Sequence, residues 1–285
     1  MKKKIDFVIC FAQMLQKIAE QTAGTEYEET FGAVAKAVSD DFDTGDIFDV
    51  AFELQMCDAD KTMPESVKEF LMMVYQLGID EGNAICMNNM GCLYYTDRCG
   101  MQDYVKAREY YEMAVKAGYP LSVENLAYIY YYGFGTEVDY EKAYKYFSMA
   151  ALQGQIEALY KVGDMFRYGY YVDKSEVTAL DLYKEAYERY CKTENCKCGG
   201  NITKRMGDLF YLGLGTDPNL SMALMFYQRA EQLFYEQIRG GDPFVQKDLE
   251  YVIKAQAKIR RQIVKDLPPL AWSVSKSQKD GFKTA

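Results

Sequence analysis

Apolar residues recur along this chain with the spacing of amphipathic helices. Near the start, apolar residues recur with a periodicity that suits an amphipathic helix: Ile5, Val8, Ile9, Phe11, Ala12, Leu15 and Ile18. Clusters of β-branched residues bounded by turn signals are missing, and proline is scarce, at six residues. The pattern predicts an all-α protein.

A second pattern shows that the helices come in repeated units. A small residue is followed, at constant spacing, by an alanine, then an aromatic or leucine, then another alanine. The copies are Gly91, Ala107, Tyr110 and Ala114; Ala127, Ala143, Tyr146 and Ala150; Gly163, Ala179, Leu182 and Ala186; Gly207, Ala223, Phe226 and Ala230. A weaker copy has Ala51, Val67, Phe70 and Val74. A spacing kept through several copies predicts repeats of one supersecondary unit.

Each copy reads as helix, short loop, helix. Glycines such as Gly133 and Gly213 stand where the first helix should end, a position that favours a left-handed residue. Asp139 and Asn219 stand where a capping acceptor would begin the second helix. The Gly-Phe-Gly of residues 133–135 is therefore a helix corner. A nucleotide-binding loop would need a preceding strand and a following Gly-Lys-Ser or Gly-Lys-Thr, and neither is predicted here.

The segments GCLYYTDRCGMQDYVKAREYYEMAVKAG, AYIYYYGFGTEVDYEKAYKYFSMAALQG and GDLFYLGLGTDPNLSMALMFYQRA resemble Sel1-like repeats, relatives of the tetratricopeptide repeat. The resemblance is good over residues 83–231 and faint over 43–80. It departs at Ala127, where the family prefers glycine, and at Tyr171, which replaces the second loop glycine. The resemblance implies a right-handed α/α superhelix, a solenoid that acts as an adaptor for other proteins.

This architecture divides the chain into successive parts. The predicted parts are N-terminal capping helices over 1–42, a degenerate repeat over 43–82, repeats over 83–120, 121–155, 156–202 and 203–240, a C-terminal capping helix over 241–266, and a mobile tail over 267–285. The third repeat contains an insertion at 191–201, which carries three cysteines.

By analogy with tetratricopeptide repeats, one stripe of each first helix should face the concave groove in which a peptide or protein segment binds. The predicted groove residues are Asn88, Cys92, Tyr95, Glu124, Tyr128, Tyr131, Tyr160, Asp164, Arg167, Lys204, Asp208 and Tyr211. Tyrosine suits protein recognition because it offers a large contact area and a hydroxyl group. Packing between repeats is the alternative role: it is favoured for Tyr130 and Tyr146, whereas Tyr128 and Tyr131 are assigned to a partner.

The cysteines leave three interpretations open. Cys191, Cys196 and Cys198 lack the paired spacing and the fourth ligand of a structural zinc site, so free thiols are favoured over zinc or a redox pair. Cys92 and Cys99 resemble the disulfide pair of some exported Sel1-like proteins, but only one repeat has such a pair. Reduced thiols are expected because no export signal is recognised.

Charge and composition narrow the functional classes. A net charge of −9 disfavours nucleic acid and anionic membranes and favours a basic or mixed protein surface as partner. The chain has no histidine, which excludes Ser-His-Asp and Cys-His catalysis. No catalytic residue, cofactor or metal is therefore predicted, and no run of about 18 apolar residues suggests a membrane span.

We expect a cytoplasmic interaction adaptor. The alternatives are an exported disulfide-containing repeat protein, a zinc- or redox-responsive module, and an unrecognised enzyme.

Overall fold

A computed structural model describes residues 44–56, 63–97, 100–193, 196–240 and 242–266, together with Ile18, Glu20 and Gly24. Most of the predicted N-terminal capping region and all of the predicted tail over 267–285 lie outside the described residues. Cys10, Cys57 and Cys99 lie outside them as well. Ile18 is helical and fully buried.

The described residues form α-helices joined by short loops, with no strand among them. The helices are α1 (Thr44–Met56), α2 (Glu65–Asp80), α3 (Ala84–Tyr95), α4 (Tyr104–Lys116), α5 (Pro120–Tyr132), α6 (Tyr140–Leu152), α7 (Ile156–Tyr168), α8 (Glu176–Lys192), α9 (Gly199–Leu212), α10 (Leu220–Arg239) and α11 (Gln246–Asp266). A single 3₁₀ turn, Pro243–Val245, precedes α11. The predicted all-α class is confirmed.

The chain divides into two compact units, Met1–Glu194 and Asn195–Ala285. In the first unit, α1 to α8 follow one another so that each helix packs against the next along the chain. In the second unit, α9 packs against α10 and α10 packs against α11. None of the helices in the described ranges combines the length and apolarity that crossing a bilayer requires.

The corner between paired helices has the predicted chemistry. Gly133 ends α5 with a left-handed φ of 72°, and the Asp139 side chain accepts a hydrogen bond from Lys142 N at 3.0 Å to begin α6. Asp139 N also donates to Tyr130 O at 2.9 Å, which ties the loop back to α5. Gly135 adopts a φ of 64°, and a Cβ atom there would lie 2.7 Å from backbone atoms of Tyr104 and Val105. Because it lacks a Cβ atom, Gly135 lets the loop between α5 and α6 approach the start of α4 in the preceding repeat.

The small residue of each first helix makes room for an aromatic ring. A Cβ atom added at Gly91, Gly163 or Gly207 would lie 2.6–2.7 Å from a ring carbon of Tyr111, Tyr183 or Tyr227, respectively. The second repeat instead has Ala127, and there the corresponding ring is Phe147, which is fully buried. Burying a ring of this size stabilises the fold by roughly 2–3 kcal/mol.

The alanines of the repeat pattern lie between the two helices of each pair and let them pack closely. Their side chains are fully buried: Ala107, Ala114, Ala143, Ala150, Ala179, Ala186, Ala223 and Ala230. Where the position between the two alanines is aromatic, its ring stacks on a ring of the first helix. Tyr130 and Tyr146 stack with ring centroids 5.8 Å apart, and Phe210 and Phe226 do so at 5.6 Å. Tyr130 is buried, which supports the predicted packing role of this pair.

Helix α11 covers the apolar face of α10 in the second unit. Val252 and Ile259 of α11 are fully buried and pack with Tyr227, Ala230 and Phe234 of α10 in one cluster. The apolar residues of α11 recur with helical spacing, so one face can close the last helix pair. A terminal element of this kind shields the apolar face that an array of repeats would otherwise expose.

Candidate partner-binding surface

The predicted groove residues lie on the first helix of each pair, and the residue after the small position makes an internal contact in every repeat. Tyr183 Oη donates to Asp164 Oδ1 at 2.6 Å, and Tyr227 Oη donates to Asp208 Oδ1 at 2.7 Å. Tyr111 Oη donates to Cys92 Sγ at 3.4 Å in the first repeat. In the second repeat, where Phe147 has no hydroxyl, its ring centroid lies 5.2 Å from that of Tyr128. Asp164 and Asp208 are buried.

Asn88 connects two repeats. Its Oδ1 accepts hydrogen bonds from Ser122 Oγ at 2.8 Å and from Asn125 Nδ2 at 3.0 Å, both on α5. Asn88 and Ser122 are buried, so this polar pair is shielded from water. Cys92, one turn further along α3, carries a free thiol whose pKa is raised by burial. Asn88 thus holds adjacent repeats together and offers little surface to a partner.

Lys161 lies at the centre of an aromatic cluster that α5 and α7 build together. Its Nζ lies 5.1 Å, 5.2 Å and 5.4 Å from the ring centroids of Tyr128, Tyr131 and Tyr132, and 5.9 Å from that of Tyr160. It also donates a hydrogen bond to Tyr132 Oη at 3.1 Å. Lys161 is only 7% exposed, so the rings replace water around the ammonium group. We call these five residues the tyrosine cluster.

Two carboxylates adjoin the tyrosine cluster. Glu157 Oε1 accepts hydrogen bonds from Tyr128 Oη at 2.7 Å and from Tyr160 Oη at 2.8 Å. Oε1 of Glu124, in contrast, is buried and accepts no hydrogen bond. Burial and then the nearby charge of Glu157 raise the pKa of Glu124 to about 7, although Lys161 acts in the opposite direction. Glu124 is thus a half-buried acid that lacks a donor at one oxygen.

Aromatic side chains extend the cluster on both sides. On one side, Phe134 lies 5.4 Å from Tyr132 and 5.8 Å from Tyr95, measured between ring centroids. On the other side, Tyr170 lies 6.0 Å from Tyr131 and 5.6 Å from Tyr168. Burial and neighbouring tyrosines raise the pKa of Tyr95 to about 12, so it carries a neutral hydroxyl at physiological pH. The result is a continuous aromatic strip in the first unit.

The strip is partly open to solvent. Tyr132 is 48% exposed and Tyr168 is exposed to a similar degree. The Arg167 guanidinium carbon lies 5.2 Å from the ring centroid of Tyr168, so a charged group and a ring are presented side by side. Tyr128 and Tyr131 are half-buried, whereas Tyr160 is buried. The outer rings therefore supply the accessible area, and the inner rings fix their positions.

In the second unit, α11 contacts all three predicted groove residues. Lys204 Nζ donates to Asp248 Oδ1 at 2.6 Å, and Tyr251 Oη donates to Asp208 Oδ1 at 2.8 Å. Lys258 Nζ lies 5.4 Å from the ring centroid of Tyr211. Helix α11 thus lies over this face of α9. It therefore covers much of the surface that these three side chains would offer.

Lys161, Glu157 and Tyr132 are not among the residues predicted from the sequence. Glu157 and Lys161 are separated by four residues, which places them on one face of a helix, and this spacing was the available signal. Lys161 also follows Tyr160 in an otherwise apolar segment of α7. Their meeting with the tyrosines of α5 depends on how the two helices pack.

The insertion differs from the expectation of free thiols. Cys196 and Cys198 form a disulfide bond, whereas Cys191 has a free, exposed thiol. The Cα atoms of the bonded pair are 5.5 Å apart, within the range that a disulfide spans. The expectation of free thiols at Cys196 and Cys198 is therefore wrong. No group of side chains in the described ranges has the composition and proximity of a metal site.

Paired helices stacked in sequence define an α-solenoid of the tetratricopeptide class. The Sel1 repeat family model matches residues 84–119, 120–155, 156–190 and 204–233. The chain is thus a Sel1-repeat protein with four recognised repeats, as its sequence pattern predicts.

Solved structures agree with this assignment. The chain is similar to c5321, a protective antigen of uropathogenic Escherichia coli with an SLR fold, at 21% identity and a TM-score of 0.55; the match covers 85% of this chain and 50% of c5321. It is also similar to a Sel1 repeat protein from Oxalobacter formigenes, at 17% identity and a TM-score of 0.53, over 79% of this chain and 84% of that one. The chain spans about half the length of c5321. Among curated protein sequences, none matches it significantly.

Proposed function

We propose that this protein is an interaction adaptor and that a peptide or protein segment binds on the strip centred on the tyrosine cluster. Sel1-repeat proteins generally mediate contacts between proteins, and their repeats present extended surfaces for this purpose. The surface proposed here keeps three of the twelve predicted groove residues and adds two exposed rings. It consists of the exposed rings Tyr132 and Tyr168 and the half-buried Glu124, Tyr131 and Arg167.

The observation that carries this proposal is the unsatisfied carboxylate of Glu124 next to ordered aromatic rings. A buried carboxylate oxygen without a donor is costly, so a partner that supplies one gains the energy of a charge-assisted hydrogen bond. The partner group that fits is a lysine or arginine side chain, whose stem packs on the tyrosines while its head reaches Glu124. The overall charge of −9 favours the approach of such a basic segment.

The same surface has the rigidity that binding requires. Glu157 holds the hydroxyls of Tyr128 and Tyr160, and Lys161 donates to the hydroxyl of Tyr132, so these three rings are ordered before a partner arrives. Preorganised tyrosines lose little conformational entropy on binding. We place the protein in the cytoplasm, where the free thiols of Cys86, Cys92 and Cys191 would stay reduced.

Site-specific photo-crosslinking tests the surface. A photoreactive phenylalanine is placed at position 132 or 168, and as a matched control at Tyr235 of α10, which is 46% exposed. We expect one captured protein from positions 132 and 168 and none of it from position 235. If the same protein crosslinks only to position 235, the partner binds elsewhere and the proposed surface is wrong.

A substitution separates charge from shape. Glu124→Gln keeps the size of the side chain but removes the charge, so it should weaken binding of the captured segment at least tenfold. Exposed Glu137→Gln is the control for an unspecific change in net charge. Equal affinity of the two variants would exclude a role for Glu124 in recognition, and circular dichroism would confirm that both are folded.

A further inference from the structure

The disulfide between Cys196 and Cys198 encloses a single residue, Lys197, and lies directly before α9. A disulfide stabilises a protein mainly by closing a loop in the unfolded chain, and the effect is smallest for short loops. Helix α9 is already anchored by Ile202 and Leu209, which are fully buried. The disulfide therefore adds little to the stability of the fold, and stability alone does not account for its presence.

The two sulfur atoms have different surroundings. Cys198 is at the N-cap position of α9 and only 5% exposed, whereas Cys196 is half-buried and lines a cavity. A thiolate at the N-terminus of a helix is stabilised by the unpaired backbone N–H groups there. An attacking thiol would therefore meet Cys196, and Cys198 would leave as the stabilised thiolate.

The cavity next to Cys196 has a volume of about 280 Å³ and an opening to solvent. Lys197, Leu233, Glu236, Gln237 and Asp242 line it, so it presents one apolar side chain among charges of both signs. Gln237 Nε2 donates to Lys197 O at 2.7 Å, which fixes the residue between the cysteines. Gln237 Oε1 is buried and accepts no hydrogen bond, so an amide N–H group that entered the cavity and displaced its cover would fill a vacant acceptor position.

From this arrangement we infer that Cys196 and Cys198 form a thiol–disulfide exchange site for a small peptide thiol. The ligand needs a thiol for Cys196, an amide N–H for Gln237 and a carboxylate for Lys197. A glutathione-like tripeptide combines these groups. The inference does not rest on partner binding, since every residue of the site belongs to the second unit and the proposed partner surface belongs to the first.

The exchange proceeds in two balanced steps. The thiolate of the first small thiol attacks Cys196 Sγ, the bond between the cysteines breaks, and Cys198 leaves as a thiolate. A second thiolate attacks the ligand sulfur of the mixed disulfide and releases the Cys196 thiolate. Two small thiols are oxidised to one small disulfide, the protein disulfide is reduced to two cysteines, and the two protons of the small thiols end on the cysteines.

Reduced and oxidised glutathione are the probes. The test uses the full chain with Cys191→Ser, because the exposed thiol of Cys191 would react independently. Wild-type cysteines at 196 and 198 should become reduced at millimolar reduced glutathione without denaturant, and become oxidised again with oxidised glutathione. Alkylation and peptide mass mapping locate each thiol. A pair that is reduced only after unfolding would show a purely structural bridge and overturn the inference.

Single variants identify the attacked sulfur. In Cys198→Ser, α9 loses no side-chain cap, because the Cys198 side chain makes none, so the helix should stay intact while Cys196 forms a mixed disulfide with oxidised glutathione. In Cys196→Ser, the buried Cys198 should react at least tenfold more slowly. Gln237→Leu in the Cys198→Ser background should slow the reaction of Cys196 severalfold, whereas Gln232→Leu on the exposed side of α10 should not. Equal rates for Cys196 and Cys198 would contradict the assignment.

Discussion

The hydroxyl group of Tyr183 donates a hydrogen bond to Asp164 Oδ1 at 2.6 Å, and the same tyrosine ring packs on the backbone at Gly163. The relationship recurs between Tyr227 and Asp208, again beside a glycine. Glycine, the acid that follows it and the distant tyrosine therefore act as one unit: the missing Cβ admits the ring, and the acid fixes its hydroxyl.

Replacement of Gly163 by alanine tests this unit. The added Cβ would lie 2.6 Å from Tyr183 Cε1, so the ring must shift and its hydrogen bond to Asp164 must lengthen. We expect the free energy of unfolding to fall by about 1–3 kcal/mol, measured by urea denaturation. The direction of the change in stability is informative, because replacing glycine by alanine at an open helical site stabilises the helix by roughly 1 kcal/mol.

The second repeat provides the control for that substitution. By the register of the repeats, Ala127 occupies the glycine position and Phe147 the ring position; both are fully buried, and Phe147 has no hydroxyl to anchor. Ala127→Gly should therefore give no packing advantage and should cost about 1 kcal/mol through helix propensity. Stabilisation by Gly163→Ala would show that the ring does not need the glycine.

Asp208 provides a second prediction, because two tyrosines on different helices donate to it. Tyr227→Phe or Tyr251→Phe removes one donor from a buried carboxylate, and each should lower the free energy of unfolding by about 1–2 kcal/mol. The loss in free energy of unfolding of the double variant should differ from the sum of the two single losses, since both changes act on one acceptor. Tyr235→Phe, at an exposed position of α10, should change stability by less than about 0.5 kcal/mol. Additive losses in a thermal melt would indicate that the two hydrogen bonds are independent.

The pKa of Glu124 predicts an unusual pH dependence. Its value of about 7 in the folded protein is above the ordinary 4.5, so between these values the folded state binds more protons than the unfolded state. The contribution of Glu124 to stability therefore falls as pH rises through this window. Glu124→Gln should be more stable than the wild type at pH 8 by on the order of 1–2 kcal/mol, after allowance for screening by solvent.

That advantage should disappear near pH 5, where Glu124 is protonated in the folded protein. Urea midpoints at pH 5 and pH 8 measure the difference, and Glu137→Gln shows the effect of an exposed glutamate. A constant difference between Glu124→Gln and the wild type at both pH values would disprove the raised pKa. Together with weakened partner binding, the predicted gain in stability would show that this acid is retained for function at a cost in stability.

Tyr171 provides a prediction about backbone strain. It has a φ of 67°, a left-handed conformation that is unfavourable for a residue with a Cβ atom. Comparison of Tyr171→Gly with Tyr171→Ala isolates the backbone, because both lose the ring contact with Tyr144. The glycine variant should be more stable by about 1 kcal/mol in a thermal melt. At Tyr168, within α7, the order of the glycine and alanine variants should be reversed.

Much of the fold was predictable from local sequence. The glycine that ends α5, the aspartate that begins α6 and the buried alanines were all recognisable, because capping and helix periodicity depend on residues within a few positions of one another. Tyr130 could be assigned to packing for the same reason. The candidate site was less predictable: four of the twelve groove positions, Asn88, Tyr160, Asp164 and Asp208, are buried.

The insertion at 191–201 is a second place where the sequence alone left the structure undecided. Three cysteines within eight residues indicated that sulfur chemistry was concentrated there, but their spacing left free thiols, zinc and a disulfide all open. The local backbone before α9 brings Cys196 and Cys198 within bonding distance, and α10 supplies Leu233 and Gln237 to the adjoining cavity.

The sequence by itself determined that this protein is a series of helix pairs with Sel1 repeats, because that information is carried by short-range spacing. Only the tertiary structure decided which side chains of neighbouring helices meet. Lys161 among the tyrosines of α5, and Glu124 without a donor, result from the packing of α5 against α7. The angle and offset of two packed helices depend on every side chain between them, so no local pattern specifies such a contact.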